Sequence, residues 1–201
     1  MEFLLSLCLG IGLSAACGFR VFVPMLGISV ASMAGHLELA SGFEWIGTPA
    51  AFVCFLAATS VEIVAYYVPW LDNLLDTIAT PAAVVAGTIT IAATVAPTPM
   101  VTEMSPLLRW SLAFIAGGSI AGIIQLGTVT LRGTSTLTTA GLGNFLISTL
   151  ELVLSVATTI FAIALPVLCV LAVVPIAGLL VRRRFFRRKT IEPAVVVKSK
   201  V

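Results

Sequence analysis

Charge is what this sequence has least of. Only 10% of its 201 residues are Asp, Glu, Lys or Arg, against about a quarter in an ordinary soluble domain. With 59% hydrophobic residues and a mean hydropathy of +1.14, that shortage excludes a water-soluble globule. Histidine occurs once, at His36. The four cysteines, Cys8, Cys17, Cys54 and Cys169, lie in apolar segments without metal-ligand spacing. They are expected to be buried reduced thiols, and neither a metal nor a cofactor is expected. The chain has no nucleophile paired with a base and no phosphate-cradling glycine loop, so it is not expected to be an enzyme.

What it does have is long apolar runs, several near or above the roughly 20 residues that cross a bilayer as a helix. They predict an all-α polytopic membrane bundle of about six membrane segments, including broken or re-entrant helices. Residues 1–181 form its single transmembrane domain, divisible into halves 1–97 and 109–181. Residues 182–201 form a basic tail. Six of the eleven basic residues lie between Arg182 and Lys189. By the positive-inside rule this end faces the cytoplasm. Because the cluster abuts a span, its partners are expected to be membrane lipids and not nucleic acid.

Two runs are too long for one straight crossing. Phe3 to Gly35 would measure about 50 Å as a helix, against a hydrocarbon core of about 30 Å. Cys17-Gly18-Phe19-Arg20, with Pro24 following, is the expected break, and a re-entrant hairpin fits best. An arginine at that depth costs about 2.5 to 3.5 kcal/mol unless it faces protein, water or an anion. Phe145 to Val181 is expected to break at Pro166, where a backbone hydrogen bond is missing.

Between these lie Pro49 to Val68, a span carrying Glu62, and then Tyr66, Tyr67 and Trp70, an aromatic belt for a membrane surface. Leu71, Leu74, Leu75 and Ile78 have the spacing of an amphipathic helix, with Asp72 and Asp76 one turn apart on its polar side. Their mutual repulsion calls for water, a cation or an arginine. Pro81 is expected to close this element and open a short span to Ala96. Ser111 to Leu131 is the next span. Gly118 and Gly122 give it a small-residue face for helix packing, within the chain or in a homo-oligomer.

The most polar run in the body of the chain is Arg132 to Glu151. Its polarity comes from hydroxyls, with Gly133, Gly141 and Gly143 between them. Thr134, Ser135, Thr136, Thr138, Thr139 and Asn144 either bend around an ion or anionic headgroup, or form a Gly/Thr-rich connector. Thr59-Ser60-Val61-Glu62-Ile63-Val64 and Ser148-Thr149-Leu150-Glu151-Leu152-Val153 share one pattern, two hydroxyls before an aliphatic and a glutamate. Such an echo is what an internal repeat of a transporter leaves in sequence.

Gly12-Leu-Ser-Ala-Ala-Cys-Gly-Phe-Arg20-Val-Phe-Val-Pro24, Asp72-Asn-Leu-Leu-Asp76 with the segment to Thr88, and Thr138-Thr-Ala-Gly-Leu-Gly-Asn144 carry a resemblance. At these motifs the chain resembles a bacterial membrane-protein family catalogued as domain of unknown function 4126. The resemblance implies an integral protein of the bacterial inner membrane and no particular activity. In architecture alone, opposed broken segments with arginines and acids are similar to the DedA family of polyprenyl-phosphate translocases.

Three functions follow as expectations. The first is a secondary transporter or translocase of a small or lipid-linked anion. Arg20, Arg132, Thr134, Ser135, Thr136, Thr138, Thr139 and Asn144 would bind the substrate, and Glu62, Glu151, Asp72 and Asp76 would provide coupling. The second is a cation channel or exporter using the acids. The third is a scaffold acting through its basic tail.

Overall fold

The computed structural model describes residues 1–95, 101 and 103–189, without the side chains of 69, 70, 72–74, 180, 181 and 183–189. Among the described residues there are seven helices: α1 Glu2–Cys17, α2 Phe22–Met33, α3 Pro49–Ala65, α4 Pro69–Val95, α5 Pro106–Thr139, α6 Asn144–Ala164 and α7 Pro166–Lys189. Three stretches, Leu75–Val95, Pro106–Thr139 and Asn144–Ala164, are long and apolar enough to cross a membrane.

The bundle wraps around α1, against which α4, α6 and α7 pack. Small residues make this possible. The run Gly12 to Cys17 is buried, and a Cβ on Gly12 would lie 2.8 Å from both Ala162 Cβ and Cys169 Sγ. Helices without large side chains between them approach closely, and dispersion between near backbones replaces the absent hydrophobic drive in lipid. The tightest crossing is α4 on α5, where a Cβ on Gly87 would meet the Gly117 carbonyl oxygen at 2.7 Å. There α5 widens into a π-turn over Phe114–Gly118. Gly118 and Gly122 face Val84 on α4, so this small-residue face is used inside the chain.

Polarity runs inside out. On α6, Ser148, Glu151, Ser155, Thr159 and Ala162 face the interior, while Leu146, Leu150, Val153, Ile160 and Phe161 are exposed. The inward spacing of three or four residues is helical, but the buried stripe is the polar one. Several interior hydroxyls are satisfied by backbone carbonyls: Ser14 donates to Gly87 at 2.9 Å, Ser155 to Ala16 at 3.1 Å and Thr90 to Ala86 at 2.8 Å. An apolar exterior over a hydroxyl-bonded interior is the arrangement lipid demands.

Both over-long runs break. Gly18 to Val21 separate α1 from α2, and Leu165, at φ −140°, ψ 65°, separates α6 from α7 immediately before Pro166. Elsewhere the expectations need correction. Pro81 lies inside α4, which is continuous to Val95; one proline in a long packed helix forfeits a hydrogen bond that neighbouring helices offset. The hydroxyl run to Thr139 is helical, not bent backbone. Thr134, Thr138 and Thr139 donate to carbonyls one turn back, on Thr130, Thr134 and Ser135. Such back-bonding lets threonine sit in a helix while its hydroxyl is satisfied. The turn comes afterwards, with Ala140 at φ 52° and Gly141 at φ 89°. Cys54 is exposed on α3, whereas Cys17 and Cys169 are buried, all as free thiols. Residues 96–100, 102 and 190–201, the last belonging to the expected basic tail, lie outside the described residues.

Candidate functional site

Breaking the first run has a local consequence: the last carbonyls of α1 and the first N–H groups of α2 are brought into the protein interior without helical partners. Glu62, on the inner face of α3, answers the second need. Its carboxylate accepts from the N–H of Val21 at 2.9 Å and of Phe22 at 3.2 Å, where the helix dipole favours negative charge. Arg20 sits in the break itself, 1% exposed. Its Nη2 donates to the Ser148 carbonyl at 2.9 Å and lies 4.0 Å from Glu151 Oε2.

Arg132 enters from α5, also 1% exposed. Its Nε donates to Glu151 Oε1 at 3.1 Å and its Nη1 to Asp76 Oδ1 at 2.8 Å, while Nη2 pairs with Glu151 Oε2. One guanidinium therefore bridges α4 and α6, using the planar fork that suits arginine to buried carboxylates. Both guanidinium carbons lie over the ring of Tyr66, at 3.8 Å for Arg20 and 4.0 Å for Arg132. The negative face of the ring is a natural neighbour for two cations that must be held close together.

The result is one buried cluster to which the break between α1 and α2, and helices α3, α4, α5 and α6, all contribute. It contains two guanidiniums and three carboxylates. Hydrogen bonding within it is incomplete: Arg20 Nε and Nη1, Thr59 Oγ1 and Ser148 Oγ are buried with no hydrogen-bond partner. Buried donors left this way cost about 1 to 3 kcal/mol each. Polar atoms that native interiors normally satisfy leave donors there for water or a ligand.

A family model described as "Domain of unknown function (DUF4126)" matches residues 7–184. The chain belongs to this family. Neither the curated proteins nor the solved structures hold a significant match to it. In this DUF4126 member the matched region contains every residue of the cluster.

Of the residues singled out from sequence, Arg20, Arg132, Glu62, Glu151 and Asp76 come together. The hydroxyls of Thr134, Ser135, Thr136, Thr138 and Thr139 do not join them. They lie on the last turns of α5, mostly exposed, and shape the α5–α6 turn: Thr139 Oγ1 accepts from the Gly143 N–H at 3.0 Å, and Asn144 Nδ2 donates to Thr136 Oγ1 at 3.0 Å. The Asp72 side chain lies outside the described residues. Tyr66 is the residue missed. Assigned from sequence to a surface belt, it is 5% exposed and forms part of the cluster. The available signal was its position four residues after Glu62, on the same helical face. Tyr67 keeps an outer position, 37% exposed, with its hydroxyl 3.1 Å from Thr149 Oγ1. Ser148, which ends the hydroxyl-rich run and opens the repeated pattern, is fully buried beside Arg20.

A groove of about 670 Å³ lies at the opposite end of α1, lined by Phe3, Leu7, Trp45, Val95, Arg109 and Trp110 among others. It is apolar and touches none of the cluster residues.

Proposed function

We propose that this chain is an integral membrane transport protein, a secondary transporter or translocase of a small or lipid-linked anion. Arg20 and Arg132 bind the substrate and the neighbouring carboxylates couple its movement. The carrying observation is the pair of buried guanidiniums at a helix break, one of them with two donor atoms unused. Broken helices with their ends at a shared interior site are how many transporters expose backbone dipoles to a substrate. Ion pairs that an anion can open by competing for the arginines supply a closed state and a route out of it. The matching hexapeptides of α3 and α6 support the reading further, since each places a buried hydroxyl residue three positions before a buried glutamate, Thr59 with Glu62 and Ser148 with Glu151. In this reading α1 and α2 form a re-entrant pair, and the basic end of α7 faces the cytoplasm.

A cation channel or exporter is the second reading, favoured by one observation: three carboxylates face two guanidiniums. Flux into proteoliposomes separates the two. Anion transport predicts that Arg20→Gln reduces anion flux at least about 100-fold, the scale of losing a charge-assisted contact of some 3 kcal/mol. Cation flux that survives Arg20→Gln and fails in Glu151→Gln would support the second reading instead.

A further inference from the structure

Glu62 is bound as a substrate would be. Its two oxygens receive the N–H groups of Val21 and Phe22, the N-cap and the first residue of the 12-residue helix α2. Backbone N–H groups at a helix N-terminus are where proteins hold phosphates and carboxylates. A second observation is independent of this one. Arg20, the residue immediately before Val21, is 1% exposed, and its Nε and Nη1 have no hydrogen-bond partner. Two buried hydroxyls without partners, Thr59 Oγ1 and Ser148 Oγ, belong to the same region: Thr59 is one turn before Glu62, and Ser148 is the residue whose carbonyl Arg20 holds. Buried donors thus remain beside the break after Glu62 has taken the two N–H groups.

We propose that Glu62 is a tethered stand-in for the transported anion. Its carboxylate occupies an oxyanion site made by the first N–H groups of α2 and the Arg20 guanidinium, and a phosphate-class monoanion takes its place when Glu62 accepts a proton. This rests on the anion-transport reading and names its substrate chemistry and its coupling.

The exchange is physically favourable for two reasons. Glu62 is held by neutral N–H donors, so its departure leaves the pairs of Arg132 with Asp76 and Glu151 intact. It also conserves charge: a neutral Glu62 plus one bound monoanion gives the interior the same balance of three negative and two positive groups. A site that keeps its net charge avoids the large cost of placing an extra ion in a medium of low dielectric. The charged and titratable groups near enough to act electrostatically on Glu62 are Arg20 from the break, Arg132 from α5, Tyr66 at the end of α3 and Cys17 from α1. Of these the two arginines attract the incoming anion as they attract the carboxylate. One proton enters with each anion.

Calorimetric titration of the purified protein in neutral detergent tests this. Dimethyl phosphate is the free probe, since its single charge stays constant over the pH range used, and dihexanoyl phosphatidylglycerol is the lipid probe. Wild-type affinity for at least one of them should rise about tenfold for each unit of falling pH while Glu62 is ionised, the signature of one proton taken up per anion bound. Glu62→Gln keeps an oxygen for the α2 N–H groups but no charge; it should bind at least about tenfold more tightly at neutral pH and lose the pH dependence. Binding of dimethyl phosphate identifies a free anion as the ligand, and binding of the lipid alone identifies a headgroup. A pH-independent wild-type affinity, or a Glu62→Gln affinity equal to or below wild type, overturns the proposal, and the wild-type arm needs no variant to fold. Arg20→Gln distinguishes the two levels of inference. If it abolishes binding while wild-type affinity ignores pH, anion transport stands and the stand-in fails. If it binds as wild type does, both fail.

Discussion

At the scale of single residues, the cluster makes unequal demands. Glu151 meets Arg132 through both carboxylate oxygens and is 3% exposed, whereas the Asp76 side chain is 16% exposed. Removing one partner of a fully buried pair strands the other and costs about 3 to 5 kcal/mol, while partly solvated pairs contribute much less. Glu151→Gln should therefore lower the thermal midpoint in detergent well below that of Asp76→Asn. Equal losses would mean that burial does not rank the two acids. Among the described residues Tyr66 contributes a ring face and no hydroxyl hydrogen bond. Tyr66→Phe should be within about 0.5 kcal/mol of wild type, and Tyr66→Leu lower by about 1 to 2 kcal/mol, the range for a desolvated cation over an aromatic ring. Differential scanning fluorimetry of the two variants checks the ordering, and a loss in Tyr66→Phe as large as in Tyr66→Leu would contradict it.

At the scale of elements, the α5–α6 turn carries a local cost. Ala140 has φ 52° and ψ 29°, a left-handed conformation that costs an L-residue roughly 1 to 2 kcal/mol and glycine little. Ala140→Gly should raise the thermal midpoint with flux unchanged, and a lowered midpoint would contradict this. Gly87→Leu should do the reverse, because its new side chain meets the Gly117 backbone, which cannot swing aside. The elements were legible in the sequence to the extent that bilayer thickness constrains them. Phe3 to Gly35 and Phe145 to Val181 exceed one crossing, so breaks near Gly18 and Pro166 followed from length and breaker residues alone. Pro81 and the run from Thr134 to Thr139 misled for a common reason. Local propensity reads proline and hydroxyls as interruptions, but a packed helix absorbs the first and back-bonding satisfies the second. Arg20, Arg132, Glu62 and Glu151 stood out because charge at membrane depth is expensive. Tyr66 did not, because an aromatic residue near a span end is ordinarily an interface anchor, and only tertiary packing turns it inward.

At the scale of the whole molecule, the fold surrounds a short broken helix with longer ones, puts hydroxyls and ion pairs inside, and leaves leucine, valine and phenylalanine outside. The cluster draws on the break between α1 and α2 and on α3 through α6, and all of its residues precede Val181. Truncation after Val181 should accordingly leave anion flux per reconstituted protein within about twofold of wild type, a change of under 0.5 kcal/mol. Flux abolished by that truncation would instead favour a role carried by the basic tail. Arg20 and Arg132, 112 positions apart in the chain, must serve one site for the proposed anion binding. A double-mutant cycle on apparent anion affinity, with Arg20→Gln, Arg132→Gln and the pair, reads that directly. A shared site predicts strong non-additivity, with a coupling energy of about 1 to 3 kcal/mol and a double variant little worse than the weaker single. Losses that simply add, or single variants that bind like wild type, would contradict it.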